Sequence, residues 1–260
     1  MNKVALITGA SSGIGKELAT IHAQKGGDLV IVARRQEKLN TLKEELESTY
    51  GVNVMVIAKD LSLPTAAEEI YNEVKAAGVA VEYLINNAGF GGRGKFHERD
   101  WAQDLTMINL NVVALTALTR FFLPDFVAQN NGRILNVSST ASLLPGPLQA
   151  VYYATKAYVT SFSNAINEEL HDTPITVSAL LPGATETEFA QTSGMDKTEL
   201  FKNTFSAYEV AKAGYEGMMA GKLNILAGLT AMQRMMMASI PLTPKKMLLT
   251  QIRKMQEVSN

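Results

Sequence analysis

The sequence predicts an α/β fold: a doubly wound parallel sheet of about seven strands flanked by helices. Two observations predict it. Short runs rich in Val, Ile and Leu alternate with longer segments at helical spacing, and the first run leads straight into a glycine-rich turn. Continuous apolar runs read as strands buried on both faces. Their alternation with helices calls for right-handed crossovers and a parallel sheet.

The elements follow in order. VALIT (4–8) is the first strand and LVIVA (29–33) the second. A helix over 35–50 carries Leu39, Leu42 and Leu46 on one face. VNVMVIA (52–58), YLIN (83–86), RILNVS (133–138) and ITVSALL (175–181) supply strands three to six, and LNILA (223–227) a short seventh. Long helices are expected over 105–129 and 150–170. No repeat, low-complexity linker or composition break occurs before about residue 185, so 1–260 reads as one domain with its irregular part after the sixth strand.

Composition narrows the function classes. A chain of 260 residues can bury a sizeable core. Its net charge of −1 gives no electrostatic case for a nucleic-acid partner. The absence of cysteine excludes disulfides, thiolate nucleophiles and zinc–thiolate sites, and fits a cytoplasmic location. MNKVALITG holds too short an apolar run for a signal peptide. No run of 18 apolar residues occurs, so no membrane span is expected. His22, His97 and His171 are too scattered to suggest a metal site.

The turn after the first strand reads Thr8-Gly9-Ala10-Ser11-Ser12-Gly13-Ile14-Gly15 and opens a helix. Glycines let backbone approach a pyrophosphate, whose charge suits the helix N-terminus. Strand two should end in an acid for NAD and in cations for the 2′-phosphate of NADP. It ends Ala33-Arg34-Arg35, with Lys38 one turn on. Cations at a helix start oppose its dipole, so either an anionic ligand or simple solvation accounts for them. The reading taken is NADP.

Three Tyr-x-x-x-Lys spacings occur: Tyr71/Lys75, Tyr152/Lys156 and Tyr208/Lys212. Spacing alone does not choose among them, since each pair meets on a helix. Only Tyr152/Lys156 follows a strand ending in paired serines, Ser138 and Ser139. The other two read as solvated helix faces.

TGASSGIG (8–15), NNAG (86–89), NVSS (136–139) and YYATK (152–156) together resemble the short-chain dehydrogenase/reductase family, as do Asp60, Asn111 in INLNVVAL and PGATET (182–187). The likeness covers residues 1 to about 190 and implies a Rossmann-type fold. It implies that Tyr152 is the catalytic acid/base, Lys156 its helper, Ser139 the group orienting the carbonyl and Asn111 the holder of a relay water. It implies that Gly9, Ser11, Ser12, Gly13, Ile14 and Gly15 cradle the cofactor with Arg34, Arg35 and Lys38. Asp60 and Leu61 would then lie at the adenine. Asn87, Ala88 and Gly89 would flank the nicotinamide ribose, and Pro182, Gly183, Thr185 and Thr187 the carboxamide and diphosphate. Taken alone, Ser138 and Ser139 also read as strand-end caps, and Asn111 as a partner for a backbone carbonyl.

A phenol has a pKa of about 10. An ammonium about 4 Å away offers roughly 4 kcal/mol at an effective dielectric of about 20. That corresponds to about three pKa units, enough in principle to bring the Tyr152 phenol near 7, with desolvation opposing part of the shift and an oxidised nicotinamide adding to it.

The resemblance further implies that about 185–206 covers the substrate. Phe189, Met195, Leu200, Phe201 and Phe205 there suit an apolar or amphipathic carbonyl compound, or else helix packing. Nine of twelve Met lie from 195 onward, suiting an adaptable surface, a subunit interface or a core. The helical tail, about 228–257, sets Leu248, Ile252 and Met255 on one face among Lys245, Lys246, Arg253 and Lys254. Such a helix suits a lid, a dimer contact or a membrane surface. A homodimer or homotetramer is implied, with Leu115, Leu118 and Phe122 as the apolar stripe of its contact. The leading expectation is an NADP-dependent carbonyl reductase or alcohol dehydrogenase. A 3-oxoacyl thioester reductase and a non-catalytic NADP-binding regulator are the alternatives.

Overall fold

The computed structural model describes residues 3–196, 198, 201–240 and 243–257. Seven parallel strands form the main sheet: β1 (Val4–Thr8), β2 (Asp28–Ala33), β3 (Val54–Ala58), β4 (Val81–Asn86), β5 (Arg133–Val137), β6 (Thr176–Pro182) and β9 (Asn224–Ala227). Their order is β3-β2-β1-β4-β5-β6-β9, so the chain reverses direction between β1 and β4. In such sheets ligands bind beyond the carboxyl ends near that reversal.

Every strand expected from the apolar runs is present, with ends displaced by two residues at most. The expectation works because side chains of a strand covered on both faces have no polar alternation. Ala5, Ile7, Leu29 and Ile31 face one way, against α1 (Gly13–Gln24), α2 (Gln36–Tyr50) and α8 (Ala207–Met219). Leu6, Val30 and Val32 face the other, against α3 (Ala66–Ala76) and α5 (Leu115–Gln129). His22, 2% exposed, belongs to the first layer. Its Nε2 faces the Lys3 carbonyl at 3.0 Å and its Nδ1 the Tyr215 hydroxyl at 2.9 Å. Burial lowers its pKa and holds it neutral.

Three features depart from the sequence reading. The helix expected over 105–129 begins at Trp101 and is three pieces: α4 (Trp101–Ile108), a π-helical segment (Asn109–Ala114) and α5. A short second sheet pairs β7 (Thr185–Glu186) with β8 (Phe205–Ser206); two-residue strands carry no periodicity to read. Leu115, Leu118 and Phe122, expected at a subunit contact, are 5%, 1% and 1% exposed inside this chain. An apolar stripe says that a face is covered, not by what. The outward apolar residues of these helices include Trp101, Leu105, Val113, Val127 and, on α6 (Ala150–Glu169), Tyr158.

The continuous rod Trp101–Gln129 is long and apolar enough to cross a membrane by length and composition. Its α5 portion packs on β4 and α3, the contacts of a core helix. On α3, Tyr71 and Lys75 are not merely solvated: both reach Asp125, and Tyr71 stacks on Phe121 at 5.8 Å.

Phe122 and Val113 allow a direct comparison. Phe122→Ala leaves a cavity and should cost about 3–5 kcal/mol in urea unfolding. Val113→Ala, at an exposed position, should stay within about 0.5 kcal/mol. Equal losses would place Val113 in a buried contact.

Candidate active site

The site begins at the turn between β1 and α1. Gly13 has φ +54°, and a Cβ on Gly15 would run into the Gly9 carbonyl and the Asn87 amide. Only glycine keeps this turn flush with the segment that follows β4. Asn87 closes it, donating Nδ2 to the Thr8 carbonyl at 2.9 Å. The Thr8 hydroxyl in turn accepts the backbone N–H groups of Asn87 and Ala88 at 3.0 Å each. The first turn of α1 carries no acid, leaving its N–H groups and positive end open to an anion.

Beyond β2, the three cations are differently engaged. Arg34 is 76% exposed and, among the described residues, pairs with the Asp60 carboxylate at 4.0 Å. Arg35 donates Nη2 to the Ser11 and Ser12 hydroxyls at 2.9 Å each and pairs with Glu188 at 2.8 Å. Lys38 pairs with the other Glu188 oxygen at 2.8 Å. The Asp60 carboxyl is pushed up by burial, but Ser62 N–H and O–H donors and Arg34 outweigh this and hold it below its usual range.

At the other end stands α6. Tyr152 and Lys156 are 8% and 5% exposed. Lys156 donates Nζ to the Val137 carbonyl at 2.8 Å, and its ammonium lies 5.9 Å from the Tyr152 ring centroid. Ser139 Oγ accepts the Ala141 N–H at 3.1 Å, and its side chain lies near enough to the Tyr152 phenol to act on its pKa. The cap reading of this serine is therefore realised, beside the phenol. The neighbouring Ser138 is a seat rather than a reactant, donating to the Lys156 carbonyl at 2.9 Å.

The electrostatic expectation for the phenol is reversed. Burial pushes the Tyr152 pKa up to about 12, against the opposing effect of Ser139, and pushes Lys156 down to about 8. The ammonium spends its hydrogen bond on Val137, and removing both groups from water favours both neutral forms. Desolvation wins over charge attraction.

Asn111 sits in the π-helical segment, a distortion frequent at functional sites. It is 1% exposed. Its Oδ1 accepts the Phe90 N–H at 3.1 Å, while Nδ2 donates to the Phe90 carbonyl at 2.9 Å and to Thr155 Oγ1 at 3.1 Å. The backbone-partner reading of Asn111 is thus realised in the geometry.

A continuous cavity of about 860 Å³ joins these parts. Of the residues expected to contact cofactor, all but Gly15 and Lys38 line it. Gly15 lies beneath the turn, and Lys38 reaches the cavity through Glu188. Past Tyr152 the walls become apolar: Phe189, Met195, Phe201, Met237, Leu248 and Met255. Phe189 packs on Tyr152 with centroids 5.4 Å apart. Phe205, expected here, instead lies in β8 against the core, and Leu200 lies outside the described residues.

The tail closes the chamber. It forms α9 (Ala231–Ser239) and α10 (Lys245–Gln256), and Leu248, Ile252 and Met255 all line the chamber, Ile252 buried and Met255 still 38% exposed. Gln256, 1% exposed, donates Nε2 to the Tyr153 hydroxyl at 2.8 Å, and its Oε1 accepts from Gln149 at 3.1 Å. Sequence reasoning missed Gln149, Glu188 and Gln256. Glu188 lay in plain view beside Thr187, but no rule of spacing links it to cations 150 residues away.

A polar groove over the strand ends, meeting an apolar chamber at a buried Tyr-Lys pair, defines a class: oxidoreductases of the dinucleotide-binding α/β type. More particularly, the chain belongs to the short-chain dehydrogenase family, whose pattern matches residues 3–198. It is 34% identical over 194 residues to the very-long-chain 3-oxoacyl-CoA reductase of Mus musculus, covering 72% of this chain and 61% of that protein's length. Among solved structures it is similar to a short-chain dehydrogenase from Sphingobium yanoikuyae in complex with NADPH, with TM-score 0.83, 32% identity and 99% of each chain covered. It also resembles the bulky-bulky ketone specific alcohol dehydrogenase from Comamonas testosteroni, with TM-score 0.79, 28% identity, and 98% and 97% of the two chains covered.

Glu188 gives the site a measurable signature. Hydrogen bonds from Lys38, with those of Arg35 and Ser12, pull its carboxyl pKa from 4.5 down to about 2, against the effect of burial. A depressed acid contributes stability that is present above its unfolded pKa and lost as pH falls through the folded value. The Glu188 carboxyl carbon shift should therefore stay constant from about pH 9 down to about pH 4. A midpoint near 4.5 would show an unpaired carboxylate.

Proposed function

We propose that the protein is an NADP-dependent reductase that converts a bulky, largely apolar ketone to its secondary alcohol. The observation that carries this is the position of the Tyr152 phenol, where the nucleotide groove meets the Phe- and Met-lined chamber. The groove fits a dinucleotide: the glycine turn closes on Gly9, Asn87 and Thr187 in a way a Cβ at Gly13 or Gly15 would prevent, the first turn of α1 carries no acid, and Arg34, Arg35 and Lys38 supply positive charge. When bound, NADPH supplies the hydride. Lys156 would hold its ribose, and Thr187, over Gly13, its diphosphate.

The chain's own residues then manage the proton and the exclusion of water. Ser139 donates to the carbonyl oxygen as negative charge develops there. Tyr152, held protonated by burial, delivers its phenolic proton to that oxygen. A phenol kept neutral carries the proton that reduction of a carbonyl consumes. Asn111 fixes the Phe90 backbone beside the reacting region. Phe189, Phe201 and α10 wall the chamber, and Gln149 is a polar group in the same lining. An amphipathic substrate suits this mixed wall.

One observation favours a second reading, a 3-oxoacyl thioester reductase. The helix that lines the chamber with Leu248 and Met255 also bears Lys245, Lys246, Arg253 and Lys254, of which Arg253 pairs with Glu257 at 3.0 Å. A basic helix attracts anionic acyl carriers. The similarity to the mouse 3-oxoacyl-CoA reductase supports the same reading. A homo-oligomer is part of the proposal, with the outward Val113, Val127 and Tyr158 as its apolar surface.

The test is NADPH oxidation over ketones, aldehydes and 3-oxoacyl thioesters. Turnover of bulky ketones with little activity on thioesters supports the first reading; the reverse supports the second. On the best substrate, Tyr152→Phe should lower turnover by about 10²–10⁴-fold while nucleotide binding persists. Tyr153→Phe loses only the bond to Gln256 and should cost about tenfold at most. The opposite ranking would overturn the assignment of the proton donor.

A further inference from the structure

We propose that Glu188 determines nucleotide specificity: its carboxylate competes with the 2′-phosphate of the dinucleotide for Arg35, Lys38 and Ser12. The inference rests on the NADP reading above and adds a residue acting against it.

Glu188 belongs to the segment that follows β7, yet its carboxylate is placed in the nucleotide groove. Oε2 accepts from Ser12 at 3.1 Å and pairs with Arg35 at 2.8 Å, while Oε1 pairs with Lys38 at 2.8 Å. Arg35 also holds Ser11 and Ser12. These donors come from the glycine turn and from the start of α2, the two elements that meet a 2′-phosphate in this fold class. They are arranged as an oxyanion receptor, and a carboxylate fills it. Asp60, the other acid nearby, is directed to Arg34 and Ser62 instead.

A phosphate monoester brings more oxygens and more charge than a carboxylate, so the two anions are unequal rivals for one set of donors. Whatever Glu188 contributes to Arg35 and Lys38 must be given up when the phosphate takes them. NADPH affinity falls by that amount, while NADH affinity, which needs neither cation, does not. The next residue, Phe189, packs on Tyr152, so displacement of Glu188 also acts on the wall of the substrate chamber. Cofactor choice and substrate enclosure share this one segment.

Calorimetry with 2′,5′-ADP and 5′-AMP on the full chain separates the possibilities. The wild type should bind 2′,5′-ADP more tightly than 5′-AMP. Glu188→Gln should bind 2′,5′-ADP about tenfold more tightly still, with 5′-AMP unchanged, and Glu188→Asp, which keeps the charge, should return towards wild type. If Glu188→Gln leaves 2′,5′-ADP binding unchanged or weakens it, Glu188 organises the cations rather than opposing the phosphate, and the inference fails alone. An equal gain for both nucleotides also overturns it. If the wild type does not distinguish the two nucleotides, the NADP reading fails and takes this inference with it.

Discussion

The hydrogen bond from Lys156 to the Val137 carbonyl ties α6 to the end of β5, and the site depends on that tie. Two further polar contacts repeat it, Ser138 to the Lys156 carbonyl and Asn136 to Ser163, and Asn111 to Thr155 ties α6 to the π-helical segment. All of these groups are buried, where an unmade hydrogen bond is expensive. Together they leave α6 one orientation, with Tyr152 facing the cavity. The same burial sets the chemistry, because taking a phenol and an amine from water favours their neutral forms. Packing and proton inventory are one decision here.

From that fixed helix the cavity divides naturally. Towards β1 and β2 its walls are glycine backbone, hydroxyls and cations, the groups that suit a phosphorylated ligand. Towards α9 and α10 they are Phe and Met, which suit carbon. Met side chains adapt to irregular shapes, so the chamber does not demand a single rigid substrate. Its closure is polar at one point: Gln256 joins Tyr153 and Gln149, and Arg93 holds the Gln256 carbonyl at 3.2 Å. The last helix is thereby fastened to residues adjoining Tyr152.

The sheet was legible because burial on both faces leaves uninterrupted apolar runs such as VALIT and LVIVA. The glycine turn was legible because only glycine fits a backbone so close to Asn87. The apolar tail face of Leu248, Ile252 and Met255 was legible as a covered face, and the structure supplied the chamber that it covers. What stayed hidden lacks local signal. Gln256 meets Tyr153 across 103 residues of sequence, and Glu188 meets Lys38 across 150. The π-helical segment at Asn111 reads as ordinary helix, and two-residue strands have no period. The sign of the Tyr152 shift was misjudged because charge attraction can be counted from spacing, whereas desolvation requires knowing how deep the pair lies.

The account turns on that depth, and the Tyr152 phenol can be titrated directly. Tyrosine labelled with ¹³C at the ring carbon bearing oxygen, compared between wild type and Tyr152→Phe, isolates its resonance. Burial that raises its pKa to about 12 predicts no phenolate signal from about pH 6 to about pH 10. A midpoint near 7 in the same preparation would show that the Lys156 charge overrides desolvation, and would contradict the account at its centre.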